Sequence, residues 1–143
     1  MLFRSNLGAI LRSARAFGIA GIVIPKDNSC PVTAAVFKAS AGGAAHVPVV
    51  QVTNLARTVE ALKEEGFWTY AAEGDGETDI AEFRPPRRTG IVLGGEEKGI
   101  RRLVREKCDG SIRIDMEPGV DSLNVGVAAG IFAFRFRTPK TGK

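Results

Sequence analysis

The chain has 143 residues, enough for one domain, and with 44% hydrophobic and 25% charged residues it can build a core without metal or disulfides. Lys plus Arg is 20 and Asp plus Glu is 16, a net charge of +4 that favours an anionic partner such as nucleic acid but does not select a site. No apolar run reaches membrane-spanning length, the opening Met1-Leu2-Phe3-Arg4-Ser5-Asn6 lacks the apolar region of a signal peptide, and Cys30 and Cys108 have no partner at zinc or redox spacing.

These features predict a reduced, cytoplasmic protein. In chain order, Leu7, Ile10, Leu11, Ala14 and Phe17 recur at helical spacing, with Ser5 or Asn6 as the cap and Gly18 as the stop. Arg12 and Arg15 lie off that stripe. The β-branched run from Ile19 to Ile24, closed by Pro25, predicts a buried strand. Ser29-Cys30-Pro31 opens a second helix that runs to about Ser40 and stops at Gly42-Gly43. Val47 to Val52 reads as a strand, Thr53 as the cap of a helix carrying Leu55, Val59 and Leu62, and Gly66 as its end. Phe67 to Ala71 is the next strand.

From Glu73 to Thr89 the pattern fails, and the Gly, Asp, Glu, Pro and Arg content predicts a loop with at most a short turn. Strand Ile91 to Leu93 leads into the glycine-rich Gly94 to Gly99, then a short helix to Lys107 bearing Arg101, Arg102 and Arg105. Strand Ile112 to Met116, a Pro118-Gly119 turn and an apolar helix from Val125 to Phe136 follow, with a polar tail beyond. Strands alternating with helices predict an α/β fold: a mostly parallel sheet with helices on both faces.

Two places can carry chemistry. Ser122 is placed to cap the last helix, whose unpaired first-turn N–H groups suit an oxygen-rich ligand, and Asn124 adds an amide that can orient a hydroxyl. The loop from Gly94 to Gly99 follows a strand and precedes a helix, where α/β folds bind ligands. It is not a Walker loop, because Ile100 stands where lysine is required. A strand-to-helix turn serves equally as a reading of that loop, and Glu96 can either face a ligand or complement a helix dipole. His46 has no Cys or Asp at ligand spacing and reads as structural or surface, and no metal site is expected. The arginines at 84, 87, 88, 101, 102, 105, 135 and 137 make a solvated surface, or a phosphate-binding face where several lie together.

Three segments in this order resemble the SpoU family of the SPOUT RNA methyltransferases: Asn6 to Arg12 with Phe17-Gly18; Ile91 to Gly99; and Ile114 to Met116 followed by Gly119 to Val125. Val52-Thr53-Asn54-Leu55-Ala56-Arg57-Thr58 is similar to the branch that methylates a guanosine ribose in 23S ribosomal RNA. The resemblance covers nearly the whole chain. It implies a C-terminal deep trefoil knot, an obligate homodimer and S-adenosylmethionine as methyl donor. The cofactor would be held by the loops at Leu93, Gly94 and Gly95, at Ile114 and Met116, and at Ser122 and Leu123. The family's polar set maps onto Asn6, Arg12, Glu96, Ser122 and Asn124, with Arg12 coming from the second subunit. The implied reaction is methylation of a ribose 2′-hydroxyl in structured RNA, ribosomal or transfer. Rival readings are a non-catalytic RNA-binding or dimerisation module of the same fold, and an α/β enzyme using the Gly94 loop for a nucleotide phosphate. The family usually has a strand before the asparagine and often an N-terminal RNA-binding domain. Only Met1 to Ser5 precede Asn6, so residues 1–143 are expected to be a single catalytic domain without those parts.

Overall fold

A computed structural model describes residues 2, 4–26, 43, 46–95 and 98–138. Contacts divide the chain into two compact units, one made of Met1–Gln51 with Gly126–Lys143 and the other of Val52–Val125.

The first unit begins with helix α1 (Arg4–Phe17), which Gly18 ends at φ 73°. The helix starts earlier than its polar residues suggest, so Ser5 and Asn6 lie inside its first turn and neither is the cap. The apolar stripe decides where the helix packs. Leu7, Leu11 and Ala14 are buried against Ile24 and Val47, with Leu2, Ile19, Ile22 and Val49 at the margin. Strand β1 (Ile22–Pro25) pairs with β2 (Val49–Val52) in a two-stranded sheet, and Ile22 N–H donates to the Pro48 carbonyl at 2.9 Å. Pro25 belongs to β1 instead of closing it. The helix expected between Ser29 and Ser40, with Cys30, lies outside the described residues. Helix α4 (Val125–Phe136) matches its expected bounds and belongs to this unit from Gly126 onward. It lies close to α1: a Cβ on Gly130 would sit 3.1 Å from Ser13 Oγ, and the rings of Phe17 and Phe134 meet edge to face at 5.5 Å.

The second unit opens on helix α2 (Leu55–Glu64). Asn54, not Thr53, caps it, because the Asn54 side-chain carbonyl accepts the Arg57 N–H at 3.0 Å. Gly66 follows at φ 90°. Strands β3 (Trp68–Ala72), β4 (Thr78–Asp79), β5 (Thr89–Val92) and β6 (Gly110–Arg113) form one parallel sheet in the order β4-β6-β3-β5. The register aligns Tyr70 with Ile91 and with Gly110. Helix α3 (Arg102–Lys107) packs against α2.

Two expectations are corrected here. The stretch 73–89 is not only loop, since Thr78 and Asp79 form a strand on β6 that its polar composition concealed. The last strand is Gly110–Arg113 instead of Ile112 to Met116, which leaves Ile114 to Met116 as loop. Backbone pairing with β3 starts at Gly110, where no side chain announces it.

Candidate functional site at the carboxyl ends of the parallel strands

Because β3, β5 and β6 run parallel, the segments leaving their carboxyl ends emerge on one edge of the sheet: residues 73–77, 93–95 with 98–101, and 114–124. This edge is where open α/β sheets hold ligands.

The segment after β5 folds back on itself. Gly95 and Gly99 form an antiparallel bridge, with Gly99 N–H donating to the Gly95 carbonyl at 3.0 Å. A Cβ on Gly94 would lie 2.4 Å from the Gly99 carbonyl carbon and 2.7 Å from Ile100 N, so only glycine fits there. Gly95 is exposed, and nothing lies within 4 Å of where its Cβ would be. A ligand can therefore approach bare backbone at Gly95, the kind of opening a cofactor held by main-chain groups requires. The sequence-predicted Glu96 lies outside the described residues.

The segment after β6 is fixed by a clamp that sequence reasoning missed. Arg113 Nε donates to Asp115 Oδ1 at 2.8 Å, and its Nη1 donates to the Gly76 carbonyl at 2.9 Å. The hydrogen bond from Arg113 holds the Asp115 carboxyl below the usual carboxylate range. Gly76 is pressed against β6, where a Cβ would meet Ile112 C at 2.6 Å and Arg113 N at 2.7 Å. Glu77 N–H donates to Ser111 Oγ at 2.9 Å, and Arg105 pairs with Glu73. Loop 73–77 is thus tied to β6, and Arg113 carries that rigidity into Ile114 to Met116. Spacing of Arg113 and Asp115 on one side of an extended chain was the readable signal; the burial of Gly76 left none.

Beyond Met116, Glu117-Pro118-Gly119-Val120 makes a turn closed by Val120 N–H to the Glu117 carbonyl at 3.2 Å, with Gly119 at φ 90° as a type II turn requires. Ser122, Leu123 and Asn124 then lead into α4. Helix α4 starts at Val125, so Asn124 holds the position directly before it and Ser122 lies two residues earlier. Ile114, Met116 and Leu123 are half-buried, whereas Ser122 and Asn124 are exposed. The second unit therefore gathers Leu93, Gly94, Gly95, Ile114 and Met116 at one edge, and Ser122, Leu123 and Asn124 continue the same segment. The first unit carries Asn6, buried in α1, and Arg12, exposed on the same helix. Cys108, half-buried, is a free thiol whose pKa burial raises. Among the described residues no three His, Cys, Asp or Glu come together as a metal site.

Known proteins are similar to this chain over most of its length. The family model described as SpoU rRNA Methylase matches residues 3–134. The 23S rRNA (guanosine-2'-O-)-methyltransferase RlmB of Xanthomonas campestris is 50% identical over 129 residues, covering 90% of this chain and 52% of that protein. Its namesake in Vibrio cholerae is 49% identical over the same share of each chain. The structure of the SpoU methyltransferase AviRb from Streptomyces viridochromogenes, in complex with the cofactor AdoMet, superposes with a TM-score of 0.84 at 26% identity, over 94% of this chain and 52% of that one. The chain thus spans about half the length of the curated relatives it matches.

Proposed function

Because the chain belongs to the SpoU rRNA methylase family, we propose that it transfers a methyl group from S-adenosylmethionine to a ribose 2′-hydroxyl of structured RNA, a guanosine of 23S ribosomal RNA foremost. The observation that carries this reading is the 50% identity over 129 residues to an enzyme named for that reaction. The clamped glycine loops at the sheet's edge support it independently, since they offer exposed backbone instead of a charged pocket.

Leu93, Gly94, Gly95, Ile114, Met116, Ser122 and Leu123 hold the cofactor, largely through main-chain groups. S-adenosylmethionine supplies a methyl group already activated on a sulfonium. The protein's task is alignment of two reactants and care of one proton. The ribose oxygen would take the methyl carbon as the carbon–sulfur bond breaks, leaving a neutral thioether, and the hydroxyl proton would pass to water. Arg12 stabilises the developing negative charge on that oxygen and grips a neighbouring phosphate; a guanidinium does not serve as the base, because it keeps its proton. Asn6, Ser122 and Asn124 position Arg12 and the ribose, and Glu96 orients the site by hydrogen bonding. The exposure of Arg12 on α1 fits a group that reaches RNA, and the burial of Asn6 fits a supporting role.

The two units act as one catalytic domain with a trefoil knot at its C-terminal end, a reading supported by the family match running from residue 3 to 134 across both. The domain works as a homodimer in which Arg12 enters the partner's site. Helix α4 supports this: it is apolar on all sides but for Arg135 in its last turn, yet Val127, Ile131 and Phe134 stay 37–52% exposed. No helix among the described residues is long and apolar enough to cross a membrane, and a ribosomal RNA substrate points to the cytoplasm. No metal takes part in this scheme.

The test is methyl transfer from labelled S-adenosylmethionine to a 23S ribosomal RNA fragment, with the product mapped by resistance to alkaline cleavage at the 2′-O-methylated position. Arg12→Ala is expected to abolish transfer while cofactor binding survives. A modified base with an unmodified ribose, or full activity in Arg12→Ala, would overturn the assignment.

A further inference from the structure

Residues 98–102 form a basic rim on the exposed edge of the sheet. The backbone of Gly99 and Ile100 lies so near Gly94 that a Cβ added there would collide with both, leaving no room for a side chain. Arg101 therefore sits one residue from the glycine loop that contacts the proposed cofactor. Lys98, Arg101 and Arg102 are all exposed, and so is Leu103, at 62%. The basic groups further along α3 are engaged inward or sideways: Arg105 with Glu73, and Lys107 with Glu60 at 3.2 Å. Among the described residues Arg102 pairs with Glu106, at 3.4 Å between side chains 86% and 56% exposed. Such a pair contributes little and is readily exchanged for a stronger anion. Bidentate guanidinium geometry suits phosphate better than a single exposed carboxylate.

We infer that Lys98, Arg101 and Arg102 grip the sugar-phosphate backbone of the RNA strand that enters the site, and that exposed Leu103 gives an unstacked base an apolar surface. This rests on the methyltransferase reading above and assigns the surface through which that substrate is held. The chemistry is positional: a strand whose ribose reaches the Gly94 loop must carry its flanking phosphates past the residues beside that loop. Protein groups that contact phosphate fix register and carry most of the salt dependence, leaving the choice of base to other contacts. The opposite edge of the same sheet offers a control, because exposed Arg87 precedes β5 instead of following it.

The experiment compares the wild-type chain, the triple variant Lys98→Gln/Arg101→Gln/Arg102→Gln, and Arg87→Gln. Each is titrated with a guanosine-bearing hairpin from 23S ribosomal RNA at several salt concentrations, and separately with S-adenosylmethionine. The triple variant is expected to bind RNA at least about tenfold more weakly, with a log–log salt slope shallower by about two, from roughly 0.7 per single-strand phosphate contact. Its affinity for S-adenosylmethionine and its melting temperature stay unchanged, and Arg87→Gln stays close to wild type. Leu103→Ser weakens RNA binding without changing the salt slope. Unchanged RNA affinity and slope in the triple variant would overturn the inference while cofactor binding leaves the methyltransferase reading standing. A loss equal in Arg87→Gln would show diffuse attraction instead of a gripping surface and also overturn it. A shift from dimer to monomer in the triple variant would assign the rim to a second copy of the chain. Failure of the wild-type chain to bind S-adenosylmethionine would instead strike the functional reading itself.

Discussion

Each of the two units is stabilised internally by its own means. The first rests on an apolar cluster, with Leu7 and Leu11 at 0% exposure and Ala14, Ile24 and Val47 around them. The second buries Ile112, Ala71, Val59, Val104 and Ile80, and is stitched as well by polar side chains: Lys63 to Asp109 at 3.4 Å, Thr69 N–H to Asp109 at 2.8 Å, Glu77 N–H to Ser111 and Arg113 to Asp115 and Gly76. Irregular backbone has no ladder to satisfy its N–H and C=O groups, so loops that must keep one shape borrow side-chain partners. Apolar packing sets where a helix sits. Polar stitching sets where a loop sits, and the proposed cofactor loops are on the stitched side.

The largest effect is expected in the apolar unit. Leu11→Ala should destabilise by about 2–5 kcal/mol, read as a shift in the denaturant midpoint, because the side chain is fully buried. Next comes Gly76→Ala, expected to cost about 1–3 kcal/mol, since its Cβ would press on the rigid backbone of Ile112 and Arg113. Arg113→Ala sharpens the contrast: melting temperature should barely move, while S-adenosylmethionine affinity falls by roughly tenfold as loop 114–116 loses its alignment. If Arg113→Ala unfolds the chain as readily as Leu11→Ala, the stitching is structural and the comparison breaks. The smallest effect is one of pH. A carboxyl held low in the folded chain favours folding above its ordinary value near pH 4, and that contribution disappears as the pH falls through the lowered value. Cofactor affinity should therefore lose its Asp115-dependent part only below about pH 4, and Asp115→Asn should remove that part of the profile.

The same contrast decides what was legible in the sequence. Leu7, Leu11 and Ala14 repeat at helical spacing, so α1 and its buried face could be read directly, and α4 was bounded correctly by its continuous apolar run. Gly94 and the Pro118-Gly119 turn also announced themselves, because close approach and positive φ demand particular residues. Strand β4 did not, since Thr78 and Asp79 pair through their backbone and carry no apolar pattern. The ends of β6 shifted for the same reason: Gly110 pairs while Ile114 does not. A competing cap misled at Thr53, where the adjoining Asn54 can serve equally and only backbone geometry chooses.

On the proposed reading, backbone loops at the carboxyl edge of the second unit hold S-adenosylmethionine. Calorimetric titration of the cofactor into the wild-type chain and into Gly94→Ala tests it most directly. Saturable binding of one cofactor per chain, lost in Gly94→Ala while the circular dichroism spectrum is kept, is the result expected from a loop closed on Gly99 and Ile100. Equal binding by both proteins, or no heat from the wild type, would contradict it.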